Sequence, residues 1–386
     1  MKKYFHFIYS ICLIGILCAS CKKDISSPIS NTNPTTLSQV FQDYWNQMNV
    51  NYVFWSIDTT NWDNVYAEYN PLFAQLDINN PNDVKLANTY FRQMADGLID
   101  SHYNLGVTIP PVADSISPSL DRKLQKSNFH YPFEYTSIDT VNYLDHGFVS
   151  GNYTNSENQN IYAVSGTINN KILYFHCSQF ALQEAYQSPV NNGVKRTLQY
   201  FFNQLQNLPA NIKGIVIDVR NNPGGSVSDL SFLTGQFIDA PLKIGYTRYK
   251  SGNGRLSYTP WIEADVAPQL TGHAFTIPII VLADNFSASL AEATTISIHT
   301  LPNGIFVGET TWGATGAITE NSLYNDGQFN VGNFLSVYTS SAQFEYIDGK
   351  SYEGIGYTPD FAVPFNLAAA KSGDDLILDK AISLIQ

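Results

Sequence analysis

Gly214-Ile215-Val216-Ile217-Asp218-Val219 runs directly into Arg220-Asn221-Asn222-Pro223-Gly224-Gly225, and the fold is decided here. An apolar run that ends in a charged pair and a Pro-Gly-Gly turn reads as a short strand buried on both faces. Working outward, Lys171–Phe175 (KILYF) reads as a strand before it, and Ile277–Ala283 (IPIIVLA) as another after it. Pro278 is tolerable near the first residue of that strand. Ile305–Gly308 reads as a third, shorter one. Helical patterns lie between and after them: 184–207 (with Val194, Leu198, Phe201 and Leu205), Leu230–Phe237, Ser289–His299 and Leu376–Ile385. The alternation implies an α/β core over 161–386, a mainly parallel sheet with helices on both faces.

Upstream, apolar residues recur at helical spacing. Phe41, Tyr44, Trp45 and Met48 share one stripe. A second helix is expected after Asn61-Trp62-Asp63, through Val65, Tyr66 and Tyr69. A third starts near the Asn82-Asp83 cap and carries Val84, Ala87, Phe91, Met94 and Leu98. These define an N-terminal helical subdomain over 37–102, whose aromatic stripe is core. Residues 103–160 read as an irregular or β connecting region with short strand-like pieces such as Phe133–Tyr135.

The 386-residue chain is 44% hydrophobic and so has ample material for a core. Its net charge of −12 argues against a nucleic-acid partner. Met1-Lys2-Lys3 followed by the apolar run Ile8–Cys18 has the form of a signal peptide over 1–20, too short to span a bilayer. Leu17-Cys18-Ala19-Ser20-Cys21 resembles a bacterial lipobox, with Cys21 as the lipidated residue. Residues 21–36, rich in Ser, Pro and Asn, then form a tether. The expected location is the cell envelope, with a lipid anchor in the outer membrane facing periplasm or cell surface. Cys177 is left without a disulfide partner.

Two strand-to-turn junctions carry chemistry. At the first, Gly224 and Gly225 let backbone N–H groups face outward with no Cβ in the way, which suits an oxyanion hole. Asp218 and Arg220 read as a structural pair orienting that turn. At the second, Asp284-Asn285-Phe286-Ser287-Ala288-Ser289-Leu290-Ala291-Glu292 opens a helix at the carboxyl edge of the sheet, where open α/β folds place their sites. Ser289 reads there as an exposed nucleophile or as a helix cap. His130, His146, His176, His273 and His299 show no metal-ligand spacing.

Together these segments resemble the C-terminal-processing (tail-specific) serine peptidase superfamily. The resemblance rests on Asp218–Gly225, Ser287–Glu292, Val307-Gly308-Glu309-Thr310-Thr311-Trp312-Gly313 and Glu353-Gly354-Ile355-Gly356-Tyr357-Thr358-Pro359-Asp360. It implies a sheet core of the crotonase/ClpP-like spiral type, Ser289 as nucleophile, and no cofactor. Where the processing branch carries its dyad lysine this chain has Ala314. Asp96-Gly97-Leu98-Ile99-Asp100-Ser101-His102 is instead similar to the tricorn-core branch, which uses a histidine base and has no PDZ domain here in 103–160. That similarity implies His102 as general base, with Glu353 accepting from it directly or through Ser101. Gly225 or Gly224, together with Leu290, would supply the oxyanion hole. The expected substrate is a peptide or unfolded protein. The missing lysine keeps a second class open: an inactive relative that binds lipophilic ligands, as the interphotoreceptor retinoid-binding proteins of the same fold do, or peptides. A surface scaffold is a third.

Overall fold

A computed structural model describes residues 33–127, 129–318 and 327–385. The signal peptide, Cys21 and most of the expected tether lie outside the described residues. No described helix is long and apolar enough to cross a membrane.

The chain opens with helices α1 (Leu37–Asn51), α2 (Trp62–Phe73) and α3 (Pro81–Ala95). Each is capped at its start by a polar side chain: Thr36, Asn61 and Asn80 accept backbone N–H groups of the first turn. α3 begins slightly ahead of the Asn82 expectation because Asn80-Pro81 supplies a cap and a proline at the first helical position. Strands β1 (Asn104–Val107) and β2 (Asp114–Ile116) follow, then helix α4 (Pro118–Leu124) and the helical turn α5 (Thr136–Ile138).

Phe133–Tyr135 is not a strand. Its rings turn inward instead, Phe133 and Tyr135 packing on Phe365 and Tyr135 lying under the Arg220 guanidinium at 3.8 Å. Pro132 and these ring contacts leave the backbone no ladder to join.

The core is built from β3 (Val149–Thr154), β4 (Asn160–Ile168), β5 (Ile172–Cys177), helices α6 (Leu182–Gln187) and α7 (Gly193–Gln206), β6 (Gly214–Asp218) and α8 (Ser228–Thr234). It continues through β7 (Leu242–Tyr249), β8 (Ile262–Val266), β9 (Ile279–Ala283), α9 (Leu290–His299) and β10 (Gly304–Gly308). It ends with β11 (Gln328–Val331), β12 (Leu335–Tyr338), β13 (Ala342–Tyr346), β14 (Phe361–Ala362), α10 (Leu367–Ser372) and α11 (Leu376–Leu384).

The single helix expected over 184–207 is two. Ser188 is extended because Pro189 follows it, and Asn192 recaps the chain by accepting Lys195 N–H.

Seven strands form the central sheet in the order β14-β10-β9-β6-β5-β4-β3. The β14-to-β5 part is parallel, while β4 and β3 add antiparallel at one edge. Alternate residues pack on opposite faces, as a pleated strand demands. Ile215, Ile217, Ile279 and Val281 join α6–α9 on one side. Val216, Ile280 and Leu282 join α11 on the other. Both faces are covered, which is why these strands read as continuous apolar runs.

A second sheet, β11-β12-β1-β2, closes over α1–α3. Their shared core joins Leu105, Val107 and Ile116 to Val331, Leu335 and Val337 across more than 200 residues of chain.

Arg220 pins the layers together. Its guanidinium is fully buried and bonds Asp218 (Nε–Oδ1 2.9 Å), Asp375 at the head of α11 (2.7 and 2.9 Å) and Asp139 (3.3 Å). The charge of Arg220 holds Asp218 well below the usual carboxylate range, whereas burial raises Asp139 far above it. Cys177 is free and buried, its thiol pushed up by burial and so unreactive.

Candidate active site

β6 and β9 are adjacent and parallel, with Asp218 opposite Leu282, so both release their chains at the same sheet edge. The turn after β9 is stitched to the turn after β6. Asp284 Oδ1 accepts the N–H groups of Asn221 (2.9 Å) and Phe286 (3.0 Å), and Ala288 N–H donates to Asn222 O (3.0 Å). Ser287 is buried and already engaged, its Oγ donating to Val219 O at 2.7 Å. That division of labour separates the two serines: Ser287 fastens the turn, and Ser289 stands half-buried at the head of α9.

Ser289 has φ +54° and ψ −117°. An ordinary helix cap is extended, and a non-glycine residue in this region costs about 1–3 kcal/mol. The surroundings enforce it. Ser289 N–H donates to Glu292 Oε2 (3.1 Å), and a Cβ on Gly224 would lie 2.7 Å from Ser289 Cβ. Only glycine permits that approach, at φ +102°.

Gly224 N–H is taken by Asn222 Oδ1 at 2.8 Å. The N–H groups of Gly225 and Leu290 have no acceptor among the described residues. Of the two glycines in question, Gly225 is therefore the one with a donor to offer. Leu290 N–H adds the positive end of α9.

His102 follows α3 in a tight turn. Asp100, fully buried, accepts His102 N–H (2.9 Å), Ser340 N–H (2.8 Å) and the hydroxyls of Thr339 (2.5 Å) and Ser340 (2.9 Å). Ser340 Oγ also lies 3.3 Å from His102 Nδ1. Because that hydroxyl hydrogen points to Asp100, its lone pair faces the ring and Nδ1 carries the proton. Nε2 is then the basic nitrogen. Burial pushes the imidazole pKa down, and the Asp100 charge pulls it back up in part.

Glu353 does not touch the ring. Its Oε1 accepts Ser101 N–H at 2.7 Å, while Oε2 accepts Gly316 N–H (2.7 Å) and the Thr315 hydroxyl (3.2 Å). Of the two routes expected, direct or through Ser101, the link runs through the backbone of Ser101. Burial and the nearby Asp100 charge raise Glu353 well above the carboxylate range, with the Ser101 and Gly316 donors opposing.

Asp100 and Ser340 escaped the sequence reading. Asp100 had a local signal, an Asx-type turn onto the N–H two residues later. Ser340, 238 residues from His102, had none.

Residues 313–316 tie the Ser289 side to the His102 side. Gly313 and Ala314 donate N–H groups to Glu292 (2.7 and 2.6 Å), and Gly316 donates to Glu353. Ala314 is buried in this bridge and offers no amine. Among the described residues no group of three or more His, Cys, Asp or Glu could hold a metal ion.

The family model of Peptidase family S41 matches residues 171–363, half of the chain. The chain belongs to Peptidase family S41. This S41 chain is 30% identical over 115 residues to the carboxy-terminal processing protease CtpA of Bacillus subtilis (strain 168), covering 30% of this chain and 22% of that one. It is 28% identical over 170 residues to the carboxy-terminal-processing protease of Bartonella bacilliformis, covering 44% and 35%. The matches thus span about a third or less of the curated relatives' length.

Among solved structures, a Parabacteroides merdae protein provisionally described as a peptidase superposes with TM-score 0.67 at 23% identity, covering 91% of this chain and 97% of that one. Mature CPAF complexed with lactacystin superposes with TM-score 0.60 at 11% identity, covering 91% and 98%. At these identities the S41 chain shares their fold.

Proposed function

We propose that this S41 protein is a serine peptidase that cleaves peptide bonds in peptides or unfolded proteins through an acyl-enzyme on Ser289. The observation that carries the reading is the strained Ser289 at the head of α9, packed against Gly224, with the N–H groups of Gly225 and Leu290 lacking an acceptor among the described residues. Strain of this kind aims a nucleophile out of a strand-to-helix turn.

Ser289 Oγ adds to the scissile carbonyl carbon while its proton passes to His102 Nε2. The carbonyl π pair moves onto oxygen, where Gly225 and Leu290 N–H groups meet it. As the tetrahedral species collapses, the C–N bond breaks and the His102 proton goes to the leaving amine. A water repeats the sequence: its proton goes to His102, its oxygen bonds to the acyl carbon, and the ester C–O bond breaks with return of the proton to Ser289.

Asp100, acting through Ser340, fixes the tautomer and offsets the imidazolium charge as it forms. Glu353 acts on the backbone that carries His102. The chemistry needs no cofactor, and it belongs to the histidine-base, tricorn-core-like form of the family, not the lysine dyad. The N-terminal residues support export and lipid anchoring at Cys21.

The buried Ala314 favours one rival, an inactive member that binds peptides or lipophilic ligands. Labelling with a fluorophosphonate, together with hydrolysis of an unfolded protein, separates the two. The peptidase reading expects both in the wild type and neither in Ser289→Ala. The binding protein expects neither in either protein.

A further inference from the structure

Helix α4 touches both halves of the site through consecutive residues. The Arg122 guanidinium donates to Asp96 O and, at 2.7 Å, to Leu98 O, the carbonyls that lead into Asp100 and His102. Lys123 Nζ donates to Asn285 O at 3.2 Å, in the turn that leads into Ser289. The same nitrogen lies 3.7 Å from the centroid of the Trp312 ring. Trp312 is itself anchored to the turn, its backbone N–H donating to Ser287 O at 2.9 Å. One short helix therefore grips the carbonyls before the base with one residue and the turn before the nucleophile with the next.

We propose that Lys123, in its ammonium form, is a positioning residue that holds the Ser289 turn in register with the His102 segment. The inference rests on the peptidase reading above. The Trp312 face attracts a cation and not a neutral amine, so the grip depends on charge.

The groups that face the ammonium are Glu292 from α9, Asp284 from the turn, Glu309 at the end of β10 and Lys126 on its own segment. Glu309 is shared with His130 through a 2.8 Å ion pair. The three carboxylates favour the charge and Lys126 opposes it, while burial brings the Lys123 pKa down to about 7. The grip is thus half lost near pH 7 and fades as the pH rises through it.

The test is the second-order rate of fluorophosphonate labelling of Ser289 across pH, in wild type, Lys123→Met and Lys123→Arg. Wild type is expected to show an alkaline decline centred near pH 7. Lys123→Met should label about 10–100-fold more slowly below pH 7 and lack that decline. Lys123→Arg keeps a cation on the indole and should match wild type at low pH while holding its rate to higher pH.

A wild-type rate in Lys123→Met, an unshifted alkaline decline in Lys123→Arg, or a Lys123→Arg as slow as Lys123→Met would each overturn the inference. Failure of the wild type to label overturns the peptidase reading and the role of Lys123 with it.

A second measurement does not need activity. In Ser289→Ala protein the indole fluorescence of Trp312, isolated by difference from a Trp312→Phe partner, should titrate near pH 7 and stop doing so in Lys123→Met. A flat trace in Ser289→Ala overturns the inference.

Discussion

Glu353 Oε1 accepts the backbone N–H of Ser101 at 2.7 Å, one residue before His102, and so this carboxylate holds the His102 segment by its main chain. Its other oxygen serves Gly316 N–H and Thr315. Glu353→Ala strands these donors in a buried place, each worth about 1–3 kcal/mol. We expect lower stability and a kcat reduced about 10–100-fold with little change in KM. Glu353→Gln, which keeps the shape and some of the bonds, should fall between. Steady-state kinetics with denaturant titration checks this; an unchanged kcat in Glu353→Ala would contradict it.

Ser289 stores backbone strain at φ +54°. Glycine visits that conformation freely. Ser289→Gly should therefore be more stable than Ser289→Ala, by about 1 kcal/mol, although both are inactive. Urea midpoints of the two variants decide it, and equal midpoints would mean that the turn is relaxed.

His102 must be neutral to act as base. Burial lowers its pKa below the ordinary 6.5, so the acid limb of kcat/KM should have its midpoint below pH 6.5. Stability has the same sign. Below about pH 6.5 the unfolded chain takes up a proton on this residue that the folded chain resists, so His102 subtracts stability as the pH falls. In His102→Gln that part of the acid loss should disappear. A kcat/KM decline centred above pH 7 on the acid side would contradict the assignment.

Arg220 faces Asp218, Asp139 and Asp375 in a fully buried cluster. Arg220→Met leaves carboxylates without their cation and should cost about 3–5 kcal/mol, enough to threaten folding. Arg220→Lys should rescue little, since an ammonium cannot reproduce the forked contacts. Thermal denaturation of the three proteins measures this, and a Met variant within about 1 kcal/mol of wild type would show that the cluster is dispensable.

What the sequence made legible was local. The apolar run of β6, its Pro-Gly-Gly turn and the small-residue turn before α9 each declare themselves within ten residues, because parallel strands are covered on both faces and tight turns need glycine. The Asp218–Arg220 pair was visible too, but its partners Asp139 and Asp375 lie far along the chain. β3 is rich in polar residues and lies at an edge of the sheet, so it shows no apolar signature. The β1–β12 pairing joins segments more than 200 residues apart, beyond the reach of periodicity. Ser340 and Lys123 were hidden for the same reason: a hydroxyl or an amine acquires meaning here only when the chain brings it against His102 or Trp312.

The most direct test of the account is the rate at which a fluorophosphonate modifies Ser289, with the adduct mapped by mass spectrometry, in wild type and His102→Ala. The account predicts a single adduct on Ser289 that forms about 10²–10⁴-fold more slowly without His102. An adduct on another residue, or equal rates in the two proteins, would contradict it.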